Sequence, residues 1–438
     1  QQGKEGWIFT LHYPSMGPFM KYADNRALRE QMYRANSSRA YHANEYNNEE
    51  VIKKITALRF EKAQLMGYKT YADYALTDRM ANTPEIVNNF IAELHDASYP
   101  YSVKDKQEVE AFARKAGLKG DLQRWDWAYY SNKLMQEKYA LDDEMLKPYF
   151  KLENVQKGVF DLATRLYGIT FKEVNNIPLY HPEVKTYEVY DNDGSFLAVL
   201  YTDFFPRESK GGGAWMTQFR GQKMVDGKDQ RPLVSLVMNF TKPTDTKPSL
   251  LTFNEVTTFL HEFGHALHGM FSKCTYGSTS MDGVSRDFVE LPSQFMENYA
   301  LEKEWLDTWA VHYQTGEKIP QEYIDKIKKS SNFQAGYASD RQLSFGMVDM
   351  AWHTITEPVT EPLADFEQRA MGKTEIMPLV KGSAFSPAFG HIFAGGYAAG
   401  YYGYKWAEVL DADAFSLFKQ NGIFDKATAE SFRRNVLE

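Results

Sequence analysis

Phe259-Leu260-His261-Glu262-Phe263-Gly264-His265-Ala266-Leu267-His268 is the stretch from which the rest of this chain can be read. Phe259, Leu260, Phe263, Leu267 and Met270 recur at helical spacing and mark a buried helix. On such a helix His261 and His265 lie one turn apart on one face, near enough for both imidazoles to reach one small cation. Glu262 projects to the side, where it can touch a water on that cation without being a ligand. His-Glu-x-x-His on a helix is the arrangement of a hydrolytic zinc centre with the glutamate as general base. Two plainer readings compete. Glu262-x-x-His265 is also one half of a di-iron bundle site, but such a site needs two halves. None of the other nine histidines follows a glutamate by three residues. The second is a set of satisfied core histidines. A buried helix carrying His, Glu, His and another His needs a reason to bear that desolvation, and a metal is the simplest one.

The 438 residues are 43% hydrophobic, 15% aromatic and 25% charged, which reads as soluble, globular and long enough for two or three lobes. A net charge of −8 argues against nucleic acid as the main partner. No apolar run approaches the length of a membrane span, so no membrane partner is expected. Cys274 is the single cysteine, which rules out an internal disulfide and a cysteine-rich zinc knuckle. A lone cysteine fits the cytoplasm, with the periplasm as the alternative, and a monomer is expected. The chain begins at Gln1 with neither a methionine nor a leader, and stops at Glu438 inside an apparent helix that starts at Asp425, so it reads as trimmed.

Along the chain, residues 1–150 read as a helical wall section and 151–438 as the metal-bearing section. Glu49 to Gln64 has helical periodicity, and Thr83-Pro84-Glu85 is a helix start with Thr83 as cap. Tyr99-Pro100 should break that helix, and the charges from Lys104 to Glu110 are a solvated face. Near Val184 the period changes. Val184–Tyr190 and Phe196–Phe204 read as strands joined by the hairpin signal Asn192-Asp193-Gly194, and Leu233–Met238 as a third strand. A small sheet beside the metal helix could offer an extended peptide an edge, or simply cover the core. Lys210-Gly211-Gly212-Gly213-Ala214-Trp215 lacks the ending of a phosphate loop and reads as backbone passing close to something. Helices are expected again over Pro292–Trp305, Gln321–Ser330 and Gln334–Thr356.

A hydrolytic zinc takes three protein ligands and leaves a position for water. His268 is one turn beyond His265, but three histidines on successive turns of a straight helix span about 10 Å, too far for one ion. The longer metzincin pattern fails, with His268 where glycine is needed and Phe271 where the last histidine belongs. A carboxylate from the next helix remains, and Asp282, Asp287, Glu290 and Glu297 are all possible on distance along the chain.

Phe259 to His268, followed by Arg286-Asp287-Phe288-Val289-Glu290-Leu291-Pro292-Ser293-Gln294-Phe295, resembles peptidase family M3, the thimet oligopeptidase group. The resemblance runs over nearly the whole chain. Trp125-Asp126-Trp127, Leu146–Phe150, Tyr180–Val184 and Gly212–Met216 look most like its dipeptidyl carboxypeptidase branch, whereas Leu291–Asn298 looks more like its oligopeptidase A branch. The resemblance implies a mainly α, zincin-type peptidase with a small β-sheet beside the motif helix and a deep cleft between two lobes. It implies one Zn2+ per chain on His261, His265 and Glu290, with Glu262 as general base. His391 and Tyr397 are implied at the reacting carbonyl, and Tyr401 and Tyr404 on the substrate, with Gly395 and Gly396 letting Tyr397 move inward. Glu297, seven residues after Glu290, reads either as orienting a ligand or as a surface carboxylate, and Tyr402 as packing. Against the family pattern an N-terminal helical section and a short C-terminal tail are missing. The implied substrates are short peptides, with dipeptides released from the free C-terminus. The alternatives are internal cleavage of oligopeptides and an inactive peptide-binding module with a structural metal.

Overall fold

Where the β-branched and aromatic residues gather, the described residues form seven strands: β1 (Thr170–Val174), β2 (Lys185–Tyr190), β3 (Phe196–Asp203), β4 (Trp215–Arg220), β5 (Lys223–Val225), β6 (Lys228–Gln230) and β7 (Leu233–Val237). In this computed structural model, which describes residues 6–438, five of them make one mixed sheet in the order β1-β2-β3-β7-β4. Only the β3–β7 pair in it is parallel. The expected hairpin forms at Asn192-Asp193-Gly194, with Gly194 at a φ of +81° and Asp191 N–H donating to Ser195 O at 2.8 Å. β5 and β6 pair separately across Asp226-Gly227, both at positive φ, the turn chemistry of a two-residue hairpin.

The helix Phe253–Phe271 lies against this sheet because its apolar face meets an aromatic layer. Phe263 reaches Phe160 and Phe171 at ring distances of 5.9 and 6.0 Å, and Phe259 reaches Phe204 and Phe240 at 5.2 and 6.2 Å. The glycines of 211–213, expected at a close approach, instead form an open turn into β4. Space around Gly212 and Gly213 is empty, Gly213 has a φ of +85°, and Asn239 Nδ2 ties the turn by donating to Gly211 O and Gly213 O at 2.9 and 2.7 Å. Lys210 is buried and spent, its ammonium donating to Asp203 Oδ1, Asp203 O and Phe205 O.

Two compact units divide the chain, and both are discontinuous. The first holds residues up to Ala140, with Ser285–Asp287 and Ser330–Lys405; the second holds Leu141–Val284, Phe288–Lys329 and Trp406–Glu438. Sheet and motif helix belong to the second. A linear reading that divides the chain at 150 has no provision for segments that leave a unit and return.

In the first unit, the helix Pro84–Lys115 starts at the Thr83 cap as expected but does not break at Tyr99-Pro100. A proline inside a helix forfeits one hydrogen bond and costs about 3 kcal/mol. Burial of Val87, Ile91, Val109 and Ala113 along the same helix outweighs that. The partner helix Ala335–His353 comes in at Gly336 so closely that a Cβ there would lie 2.5 Å from the Tyr101 carbonyl carbon, and Asp105 accepts the Tyr337 N–H at 2.9 Å. In the same unit Asp126, fully buried, accepts from Arg29 and Arg26 and from the Gln123 N–H at the start of its own helix. No helix among the described residues is long and apolar enough to cross a membrane.

The helix expected over Pro292–Trp305 is interrupted. It runs as Leu291–Glu297, tightens to a 3-10 turn over Asn298–Leu301 and resumes as Lys303–Leu306. Asn298 is the cause: its side-chain amide donates to Gln294 O and Phe295 O, carbonyls that a continuing helix would use itself. The same amide donates to Asp411 Oδ1 at 2.6 Å. Burial, with Glu297 and Glu408 nearby, pushes the Asp411 carboxyl up to about 7. An acid raised above its unfolded value near 3.9 binds its proton more tightly when folded, so it costs stability as pH rises from about 4 to about 7. Asp411→Asn keeps an acceptor for Asn298 and removes the ionisation. The variant should match wild type near pH 4 and exceed it above pH 7 by on the order of 2 kcal/mol in urea unfolding, after discounting for partial solvent access.

Candidate metal and catalytic site

The motif helix is started by a reciprocal cap: Thr252 Oγ1 accepts the Glu255 N–H at 3.1 Å and Glu255 Oε2 accepts the Thr252 N–H at 2.8 Å. Two turns later His261 and His265 point the same way, and both Nε2 atoms converge on Glu290 Oε2, at 3.2 and 3.1 Å. One ligand atom from each of the three lies within 4.8 Å of the others. An ion with bonds near 2.1 Å in a tetrahedral site would hold its ligand atoms roughly 3.4 Å apart. The two measured edges are close to that, so this nitrogen–nitrogen–oxygen set fits a small divalent ion with no large rearrangement.

Gly264, between the two histidines, makes the convergence possible. A Cβ at this position would sit 2.2 Å from Pro292 O and 2.6 Å from the Ser293 Cα, so the motif helix and the helix Leu291–Glu297 touch backbone to backbone here. That contact sets Glu290, immediately before the second helix, over the imidazoles. Ser293 Oγ, fully buried, then fixes the carboxylate by donating to Glu290 Oε2 at 2.9 Å.

The other candidates for third ligand are committed elsewhere. Asp282 Oδ1 accepts from Gln218 Nε2 at 3.0 Å, and Asp287 Oδ2 accepts the Tyr402 hydroxyl at 2.6 Å and the Ala81 N–H at 3.1 Å. Glu297 Oε1 lies 2.6 Å from His261 Nδ1, the far side of the imidazole. It orients that ring and favours the tautomer that leaves Nε2 for an ion. His268 is buried and outside the group, and burial pulls its pKa down to about 4, so it is neutral.

Burial alone would lower the His261 pKa, but the carboxylates of Glu290 and Glu297 hold it well above its ordinary value. Burial alone would raise the Glu290 pKa, and the two imidazoles hold it well below. The cluster is thus built to keep a carboxylate ionised in a dry place provided positive charge faces it. Glu262 is 5% exposed and its pKa is raised by burial, partly countered by the histidines. Its Oε2 has no hydrogen-bond partner among the described residues, while the Met216 N–H of β4 faces the carboxylate.

In the first unit, His391, Tyr397, Tyr401 and Tyr404 form one aromatic cluster. His391 stands 5.7, 5.6 and 6.4 Å from the three tyrosine rings, and Tyr397 stacks on Tyr404 at 5.3 Å. The Arg286 guanidinium lies 4.9 Å from the Tyr397 ring centre and fills the space in which a Gly396 side chain would sit. Tyr402 is buried as packing, with the added bond to Asp287 and a pKa raised by burial and that carboxylate.

Sequence reasoning passed over the residue that holds this loop. Asp349 is fully buried and accepts the N–H groups of Ala399, Gly400 and Tyr401, each at 2.9 Å, and lies 2.8 Å from His353 Nδ1. Three successive amides on one carboxylate make an anion nest, filled from within. Arg59 completes the support, lying 2.9 Å from His353 Nε2 and donating to Ile392 O at 2.7 Å, next to His391. Acid and amides are about fifty positions apart in sequence, so no local pattern announces them.

Gly264→Ala should separate the two helices, lowering stability by about 1–3 kcal/mol and reducing bound divalent metal well below one per chain by elemental analysis. Glu297→Gln keeps the fold and should weaken metal affinity about 10- to 100-fold in a chelator competition, the usual cost of losing a carboxylate behind a ligating histidine.

Comparison with known proteins gives one family. The model of "Peptidase family M3" matches residues 19–438. Oligopeptidase A of Escherichia coli (strain K12) is 43% identical over 444 residues, covering 99% of this chain and 65% of that protein. Dipeptidyl carboxypeptidase of Salmonella typhimurium is 36% identical over 437 residues, covering 99% and 64%. The chain therefore spans a little under two thirds of the length of these relatives. A solved structure, PZ peptidase A with inhibitor 2, shares the fold with a TM-score of 0.56 over 95% of this chain and 63% of its own, at 16% identity. With the family pattern matched from residue 19 to the last residue, the chain belongs to peptidase family M3.

Proposed function

We propose that this chain is the catalytic region of a zinc metallopeptidase that hydrolyses short peptides. The observation that carries the reading is the convergence of His261 and His265 on Glu290 Oε2, with the buried Glu262 carboxylate beside them and one of its oxygens uncommitted among the described residues. Two imidazole nitrogens and one carboxylate oxygen suit zinc, one per chain, and leave a coordination position for solvent. When bound by these residues, zinc would supply Lewis acidity toward the scissile carbonyl and would lower the pKa of a water toward about 7. Glu262 takes a proton from the attacking water and delivers it to the leaving amine. Tyr397, with His391, donates to the oxygen on which negative charge develops. Tyr401 and Tyr404 touch the peptide. β4 is a terminal strand of its sheet and carries Met216 next to Glu262, so an extended peptide adds along it as a further strand.

Release of dipeptides from a free C-terminus is the first form of this activity. Internal cleavage of oligopeptides is the second, favoured by the higher identity to oligopeptidase A, 43% against 36%. A peptide-binding protein with a structural metal is disfavoured by the donor set, since structural sites close all four positions with side chains.

Metal-loaded protein incubated with matched peptides, one with a free and one with an amidated C-terminus, separates these forms by product masses. Loss of two residues from the free-end peptide only supports the first, and internal cuts in both support the second. Binding with no cleavage of either overturns the peptidase reading. Glu262→Gln should retain one zinc per chain and lose turnover by several powers of ten, whereas Glu290→Ala should lose the zinc itself.

A further inference from the structure

A cavity of about 660 Å³ opens within the first unit beside the aromatic cluster, with His391 and Tyr401 in its wall. Phe345, Phe385 and Phe389 line it. Phe345 and Phe385 stack at 4.6 Å, and Tyr401 stands edge-on to Phe345 and Phe389 at 5.6 and 5.0 Å. This wall alone would suit any apolar side chain. The charges in it are more selective.

Two carboxylates face the cavity, and both are committed. Glu367 accepts the N–H groups of Phe385 and Ser386, and Glu375 is paired with Arg124. The cations are not balanced in the same way. Arg341 is half-buried, and its guanidinium lies 4.5 Å from the Phe345 ring centre and 5.3 Å from that of Phe385 and, among the described residues, donates one hydrogen bond, a long one of 3.5 Å, to Ser344 Oγ. Among the described residues the Arg39 guanidinium donates only to the Asn36 carbonyl, at 3.3 Å, and Lys381 lines the same space. No carboxylate is paired with any of these three among the described residues. Contact with two rings holds the planar Arg341 guanidinium in place, with donors left over, the presentation that suits a carboxylate.

We propose that Arg341 receives the free C-terminal carboxylate of the peptide, with the terminal side chain against Phe345, Phe385 and Phe389. The proposal rests on the reading above that His391 and Tyr401 touch substrate, because it places the carboxylate one ring beyond Tyr401. Arg341 then acts on specificity: it grips the end of the chain and favours peptides that end in a free carboxylate. Arg39 and Lys381 raise the local positive potential that draws the terminus in.

Binding and turnover test it separately. By calorimetry, the metal-loaded protein should bind a dipeptide with a free carboxylate at least tenfold more tightly than the same dipeptide amide. Arg341→Met should abolish that difference, and Arg341→Lys should restore part of it. In turnover, Arg341→Met should raise KM for a free-end peptide at least tenfold with kcat within about twofold, so that the advantage of the free-end over the amidated peptide is lost. Equal affinity of wild type for acid and amide overturns the proposal, as does equal loss on both substrates in Arg341→Met. Displacement of the dipeptide by inorganic phosphate at equal concentration overturns it too, since the cavity is then a site for small anions. Acid-selective binding without any turnover leaves the carboxylate site standing and removes the peptidase reading instead.

Discussion

Backbone touching backbone at Gly264 is the constraint on which the metal group depends. The position lies inside the motif, yet it is one of the two variable places between glutamate and second histidine, and the chemistry asks nothing of it. The neighbouring helix does. With Pro292 O where a methyl group would be, any side chain forces the helices apart, and an increment of about an ångström exceeds the tolerance of bonds near 2.1 Å. The geometry of the ligands is thus inherited from a packing contact made by a residue with no side chain.

Each unit holds a buried carboxylate that anchors an arrangement around it, and the two differ in what faces it. Glu290 faces imidazoles, which give up their own protons when an ion arrives, and its environment is therefore exchangeable. Asp349 faces main-chain amides, which are permanent. An unpaired carboxylate in either place would cost several kcal/mol, so both must be satisfied in the folded chain. One arrangement is suited to holding a ligand and the other to holding a loop.

Much of this was legible in the sequence, and the rest was hidden for identifiable reasons. The motif helix, the Thr83 start, the Asn192–Gly194 hairpin and the helix Gln321–Ser330 follow from local periodicity and turn chemistry, which are decided within a few residues. Glu290 could be picked from four acids only through the family resemblance, since spacing along the chain does not say which helix face will turn inward. β4 was missed because Trp215–Arg220 is half-polar and becomes a strand through pairing with β7. Pro100 misled because local cost is weighed against burial supplied by a helix more than two hundred residues later. Asp349 and Asn298 act on partners that no short window contains, or against the helix pattern around them.

The filled nest has a chemical corollary for the loop it anchors. With the amides of Ala399, Gly400 and Tyr401 all turned inward onto one internal anion, this part of the loop has spent its main-chain donors. Whatever it offers a bound molecule must come from phenol and imidazole, groups that rotate, carry their own protons and can be erased one at a time. The loop is in that sense a fixed rack of interchangeable heads, whose polarity is written in side chains alone.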